Sequence, residues 1–369
     1  MANDLVRSAV QSMSGLGSSS GTASPWDTPL ATPHESPATT PGGSPIVRDS
    51  DGKRLPKMSD IKMILSDVDG TLFTDAHELH PATTDAIRYI RKNHPDVPFI
   101  PVTGKQLSSC RDLIKELDLA DMPAGCMHGA IIYDHKHQIE QQMYLDPHFV
   151  RDVARLMRKH NKSTFLYVEE WNAMVTKEEN GTKDWEQVAR GFDPAVRDER
   201  ETDFMQRVLK GKERIYKIFL PMDEEVVPQF LELIEKSFPD VAFKTTRALP
   251  YIIEIVAEGV DKSAALAYFC AKFNVKAENV ITFGDGENDV GMFEAAGYSV
   301  AMANGMKKPK RVATHQTSSN DDGGVGKFLN KIFRPEMSDE PDARLSVDHL
   351  KQLDQQLAAN SPLAAGAYP

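Results

Sequence analysis

The chain has 369 residues, 43 of them Lys or Arg and 54 Asp or Glu, for a formal net charge of −11; apolar residues make up 40% and charged residues 26%. At about 150 residues per domain this allows two domains plus tails. The acidic balance argues against a nucleic-acid footprint, and no run approaches the ~18 apolar residues of a membrane span.

Residues 1–57 are rich in Ser, Thr, Pro and Gly, with one Trp and no Phe or Tyr. Such a segment cannot bury enough apolar surface to offset its ordering entropy, so it is expected to be disordered. Within it Ser24, Thr28, Thr32, Ser36, Thr40 and Ser44 each precede a proline, four residues apart. They read either as a repetitive spacer or as a ladder of sites for a proline-directed kinase, each phosphate adding close to two negative charges. No apolar h-region follows Met1 and Arg7 stands alone, so no secretory or mitochondrial leader is expected. The three cysteines, Cys110, Cys126 and Cys270, are too few and scattered for a disulfide framework or a clustered zinc site. They suit a reducing compartment, and a cytoplasmic location is expected, with the nucleus left open.

Residues 61–66 are a short apolar run ending in an Asp/Gly turn, which reads as a buried strand. Pro81 opens a helical pattern through Ala86, Ile87 and Ile90. A second strand is expected at 97–102, closed by Thr103-Gly104, and a helix at 107–117. Alternating strands and helices imply a parallel sheet with helices on both faces. The grammar resumes with a helix at 260–273, a strand at 280–283, a helix at 288–296 and a strand at 299–303. In between, strands at 164–168, 215–220, 241–244 and 251–256 alternate with helices at 149–160 and 224–238, which suggests a smaller α+β unit with its own sheet. The organisation expected is a core of 58–144 and 257–333, an inserted unit of 145–256, and a mostly disordered tail of 334–369. That tail carries six acids against three bases, and Leu345, Leu350, Leu353 and Leu357 mark at most a weak helix.

The most informative segment is Asp67-Val68-Asp69-Gly70-Thr71-Leu72, directly after the first strand. Residues two apart in an extended chain project to one side, so both carboxylates can leave the strand end together. Ligands of open α/β sheets bind beyond these ends. Gly284-Asp285-Gly286-Glu287-Asn288-Asp289 follows another apolar strand and is rich in oxygen ligands for a hard cation. Two further groups are weaker. Thr103-Gly104 is either a plain helix cap or a hydroxyl and amides that hold an oxyanion. Lys262, at a helix start where a cation opposes the macrodipole, is either a solvated lysine or one aimed at a phosphate and a carboxylate.

Together these segments resemble the haloacid dehalogenase superfamily of phosphohydrolases. Asp67–Leu72, Thr103-Gly104, Lys262 and Gly284–Asp289 stand in the order of its four motifs. The Cof-type branch, with a large cap between the second and third motifs, is supported by residues 128–134, 288–292, 301–305 and 322–325. The resemblance covers about 60–333. It implies an α/β fold: a Rossmann-like parallel-sheet core with helices on both faces and an inserted α+β cap. Three positions depart from the family pattern: Lys105 where Arg is frequent, His128 where Asn is frequent, and Ser263 where Gly is frequent. They are expected to bear on substrate contacts and packing more than on chemistry.

The resemblance also implies a mechanism, hydrolysis of a small phosphorylated metabolite such as a sugar phosphate. Asp67 would be the nucleophile that forms an aspartyl-phosphate, and Asp69 the acid and then the base. Mg²⁺ would be held by Asp67, the Asp69 carbonyl and Asp285, with Asp289 as ligand or support. Thr103, Gly104, Lys262 and Asn288 would hold the phosphoryl oxygens. The presence of Asp69 argues against the dehalogenase branch, which lacks it. The alternatives are a sugar phosphomutase and a catalytically idle scaffold that works through its Ser/Thr-Pro segment. No partner beyond the metabolite and a proline-directed kinase is implied, and no oligomeric state. The cap residues Trp171, Trp185, Glu169 and Glu170 are candidates for its inner face, but nothing at 145–256 identifies the substrate.

Overall fold

A computed structural model describes residues 52–337 apart from 182 and 248. The Ser/Thr-Pro ladder and the leucines of the C-terminal tail lie outside the described residues. The first core strand, β1 (Met63–Ser66), is buried along its whole length. Met63 and Leu65 join one apolar cluster while Ile64 joins another, so a continuous apolar run serves both faces of the sheet. The helix Pro81–Asn93 follows, with Pro81 in its first turn and the His80 ring accepting the Ala82 amide proton at 3.1 Å. Next come β2 (Phe99–Pro101) and the helix Arg111–Glu116, preceded by a 3₁₀ turn. A small antiparallel sheet of β3 (Ala124–Cys126), β4 (Ile131–Tyr133) and β5 (Ile139–Gln142) is bridged to the end of β2 through Val102 and Gly125.

The inserted unit then runs through the helix Pro147–Lys159, β6 (Thr164–Tyr167), β7 (Asn172–Thr176), the helix Trp185–Phe192, β8 (Val196–Asp198), the helix Phe204–Leu209, β9 (Lys217–Pro221), the helix Val227–Ser237, β10 (Phe243–Thr246) and β11 (Ile252–Ala257). Its six strands lie in the order β10-β11-β9-β6-β7-β8, antiparallel except for the last pair. The core resumes with the helix Lys262–Phe273, β12 (Val280–Gly284), the helix Val290–Ala295, β13 (Tyr298–Ala301), the helix Lys307–Val312, β14 (His315–Gln316) and the helix Gly324–Phe333. The main sheet is parallel throughout, in the order β14-β13-β12-β1-β2. The fold is therefore the expected parallel α/β core with an inserted α+β cap.

Strand parity decides how the cap sits. Leu166, Ile218, Leu220, Ile253 and Ile255 face a separate cluster under the cap's own helices. The intervening Phe165, Tyr167, Phe219, Ile252 and Val256 face the core and share its cluster. The cap is thus a sheet with helices on its outer side and its inner side laid on the catalytic core. Two cap strands, β7 and β8, and two helices, Trp185–Phe192 and Phe204–Leu209, had no counterpart in the sequence reading. β7 is buried at every position, so it lacks the polar alternation that marks a strand. The helix expected at 288–296 starts as a 3₁₀ turn and becomes α-helical only at Val290, because the Asp289 carboxylate turns back onto the amides before it.

Both ends of the described chain reach onto the core. Leu55 lies within the segment expected to stay disordered, yet it is 5% exposed and packs in the main cluster; Lys53 donates to the Thr314 carbonyl at 2.9 Å. Averaging composition over fifty-odd residues hid these few apolar positions at its end. At the other end Arg334 pairs with Asp85 and lies over the Tyr89 ring.

Candidate active site

The parallel order sets β12, β1 and β2 side by side, so their carboxyl ends deliver Asp285, Asp67 and Thr103 to one place. Asp67 leaves β1 with its amide still bonded to the Phe283 carbonyl at 3.0 Å. Gly70 turns with φ of +70°, and a Cβ there would meet Asp285 Oδ2 at 2.5 Å, so the second acidic loop can close on the first only over a glycine. Thr71 donates to Asp285 Oδ1 at 3.2 Å and Asn304 to the Gly70 carbonyl at 2.8 Å.

Lys262 starts its helix behind Asp261, whose carboxylate caps the Ala264 amide at 2.8 Å. The lysine is fully buried, and its Nζ lies 2.6 Å from both Asp67 Oδ1 and Asp289 Oδ1. Burial alone would push its pKa down, but the Asp289 and Asp67 carboxylates hold it above the ordinary lysine value. The other oxygen of Asp289 accepts from the amides of Asp285 and Gly286, both at 2.9 Å. Burial raises the pKa of Asp67, against the pull of Lys262, and pushes that of Asp285 up to about 7, with Asp289 adding to the effect.

One oxygen from each of Asp67, Asp285 and Asp289 lies within 4.8 Å of the others. Three carboxylates around one ammonium leave uncompensated negative charge, and an all-oxygen donor set suits a hard divalent cation. Asp289 has both oxygens engaged, so it fits the part of a support better than that of a direct ligand.

The expected residues meet at a cavity of about 470 Å³ between core and cap. Asp67, Asp69, Gly104, Asp285 and Asn288 form part of its wall. Thr103 is buried behind Gly104, its hydroxyl accepting the Lys105 amide proton at 3.1 Å. Asn288 directs its Nδ2 towards His128 Nδ1 at 3.5 Å, and its buried Oδ1 has no hydrogen-bond partner among the described residues.

Two wall residues, Lys217 and Glu254, had no place in the sequence reading, and two, Lys105 and His128, were expected to bear on substrate contacts and packing more than on chemistry. Lys105 Nζ, buried, holds Asp69 Oδ1 at 3.0 Å, so this departure from the family pattern acts on a carboxylate of the candidate site. His128 Nε2 meets Glu254 Oε2 at 3.0 Å, and Lys217 Nζ meets Glu254 Oε1 at 2.8 Å. Lys217, Glu254 and His128 are each 4% exposed or less. The lysine and histidine hold the Glu254 carboxyl far below its usual range despite burial, and burial lowers the His128 pKa. A signal was there to find: Lys217 and Glu254 are charged residues at inward-facing positions of apolar strands. Of the four cap residues singled out by sequence for the inner face, none lines the cavity, but Trp185, Glu169 and Glu170 do face the core. Trp171 packs on Phe204 under Arg197, and Trp185 donates to Glu178 at 2.7 Å. Glu170 pairs with Arg111 at 3.1 Å and Glu169 accepts from Tyr133 at 3.5 Å. The apolar cap wall is formed by Phe192, Phe219, Leu249, Tyr251 and Ile252 instead.

Acids at the ends of parallel strands beneath an inserted cap define a capped α/β hydrolase. Residues 64–329 match the family model of haloacid dehalogenase-like hydrolases, and the chain belongs to that family. An uncharacterised hydrolase of Schizosaccharomyces pombe is 33% identical over 287 residues, covering 76% of this chain and 93% of its own. A 5-amino-6-(5-phospho-D-ribitylamino)uracil phosphatase of Bacillus subtilis is 29% identical, covering 73% of this chain and 95% of its own. A Thermotoga maritima crystal structure superposes with a TM-score of 0.62 at 26% identity, covering 74% of this chain and 97% of that one. Among the described residues no helix is long and apolar enough to cross a membrane.

Proposed function

We propose that the protein is a cytoplasmic Mg²⁺-dependent phosphatase that hydrolyses a small phosphomonoester metabolite through an aspartyl-phosphate on Asp67. The observation that carries this reading is the buried Lys262 ammonium, 2.6 Å from both Asp67 and Asp289. Its positive charge opposes the rise that burial imposes on the Asp67 pKa and so favours the ionised nucleophile in a site otherwise crowded with negative charge.

Asp67 attacks phosphorus and the phosphoryl group passes to its carboxylate. Asp69 gives a proton to the departing alcohol oxygen, then takes one from the water that hydrolyses the acyl phosphate. Lys105 holds one Asp69 oxygen and leaves the other for this exchange. Gly104, Asn288 and Lys262 would hold the phosphoryl oxygens as charge spreads over them, with Thr103 bracing the turn. Mg²⁺, held by Asp67, Asp285 and the Asp69 carbonyl with Asp289 in support, would screen the repulsion between carboxylate and phosphate.

The test is turnover of a panel of phosphorylated metabolites by the purified protein and its variants. EDTA should abolish activity and Mg²⁺ restore it; undiminished turnover in chelator would sink the metal assignment. Asp67→Asn should reduce hydrolysis to background and form no phosphoenzyme. Asp69→Asn should cost about 10²–10⁴-fold with an alkyl phosphate, far less in the first step with an aryl phosphate, and should let phosphorylated Asp67 accumulate. Equal losses on both substrates with no trapped intermediate would remove Asp69 from the acid–base role.

A further inference from the structure

The turn that would cradle the phosphate is pinned from behind at every carbonyl. Thr103 O accepts from the His128 amide at 2.8 Å, and Lys105 O from the Met127 amide at 3.0 Å. Between them Gly104 O accepts from Lys217 Nζ at 2.8 Å. The first two donors belong to the core, but Lys217 belongs to the cap. Among the described residues the Gly104 amide has no acceptor, which leaves this N–H available to a ligand's oxygen. Met127 and His128 both take left-handed backbone, with φ of +49° and +61°, costly for residues that are not glycine. A Cβ on Gly104 would meet the His128 ring at 2.7 Å, so turn and ring are fitted to each other.

The ring is fastened to the cap as well. Glu254 holds His128 Nε2, and the other ring nitrogen, Nδ1, meets Asn288 Nδ2 at 3.5 Å. Two cap residues, one ion pair, therefore reach two phosphate-facing groups: Lys217 through Gly104, and Glu254 through His128 to Asn288. A buried ion pair seldom contributes net stability over an apolar pair of similar size, so its presence calls for a reason other than stability.

We propose that Lys217 and Glu254 are positioning residues: by seating on Gly104 and His128 they bring the phosphate-binding turn into its working geometry only while the cap is docked. This rests on the phosphatase reading for its catalytic consequence, though not for the coupling itself. The cap would then do more than enclose substrate, since its arrival completes the site.

The double variant Lys217→Met/Glu254→Leu removes the pair without stranding either charge, which single replacements would do. Acetyl phosphate, chosen for its small leaving group, and orthovanadate, which has none, are the probes. Turnover of acetyl phosphate should fall about 10–100-fold in kcat, vanadate inhibition should weaken by a similar factor, and Lys217→Arg should recover much of both. Amides of 103–106 and 127–129 should exchange with deuterium faster in the double variant, while those of β1 and β12 stay protected. Unchanged acetyl phosphate turnover and vanadate inhibition, with losses confined to larger esters, would overturn the proposal and make Lys217 a leaving-group contact. Unchanged exchange in both segments would overturn it too. If the wild type hydrolyses no phosphomonoester, the functional reading fails and the exchange comparison still decides the coupling.

Discussion

The acids of the site sit in different environments, and the titration of Asp285 follows from what surrounds it. Burial lifts Asp285 from a carboxylate's ordinary 3.8 to about 7, with the Asp289 charge adding to it. In the metal-free protein the folded state thus keeps a proton that the unfolded chain gives up near pH 4. This group's contribution to stability is full below about pH 4 and is lost as pH rises through about 7. A bound divalent cation replaces the proton and should remove that loss. Melting curves in chelator from pH 5 to 8 should therefore show a fall towards alkaline pH that Asp285→Asn flattens, and added Mg²⁺ should raise the melting temperature more at pH 8 than at pH 5.5. A slope unaltered by Asp285→Asn would mean that Asp285 is not the crowded group. At this scale the sequence was informative wherever a polar residue ends an apolar strand, as with Asp67 and Asp285. It marked Lys105 only as a departure from the family pattern and not as a partner of Asp69, because a lysine after a glycine turn looks the same whether it is solvated or buried against a carboxylate.

At the scale of elements, legibility followed burial pattern. β1 and β12 could be read because short apolar runs stop at glycine turns, whereas β7 is apolar-lined on both faces with no such stop. The inward charges of β9 and β11 were visible as letters, but their meaning depends on strand pairing: Val256 opposes Lys217 and Glu254 opposes Phe219, a register that brings the two charges together diagonally. The N-terminal boundary shows the opposite failure, a local anchor diluted by a polar average. Burying one leucine is worth about 1.5–3 kcal/mol. A chain begun at Gly52 should therefore melt with the full-length protein, while one begun at Met58 should melt several degrees lower, at roughly 2–4 °C per kcal/mol. Equal melting temperatures for the two truncations would show that Leu55 and Lys53 add nothing.

At the scale of the whole molecule, the described residues form two bodies joined by two chain crossings, near residues 143–146 and 258–261, with the cavity between them. The centre of the seam is apolar, and contacts away from it include the ion pairs of Arg111 with Glu170 at 3.1 Å and Arg247 with Glu287 at 3.6 Å. Gln106, fully buried, adds hydrogen bonds from its Nε2 to the carbonyls of Val168 and Trp171 at 2.8 and 3.0 Å. The two exposed ion pairs contribute little each, and a substrate large enough to fill the cavity has to enter past them. The cap should therefore open and shut as a unit, and its closed position should be favoured by whatever occupies the phosphate turn, because Lys217 and Glu254 reach that turn only from a docked cap. Spin labels placed on the helix Pro147–Lys159 and the helix Pro81–Asn93 would report the separation of the two bodies. Free protein should give a broad distribution of distances, and Mg²⁺ with orthovanadate should narrow it towards the shorter end. A single distance, the same with and without the phosphate analogue, would mean a fixed cap, and substrate would then have to reach Asp67 through an opening already present in the seam.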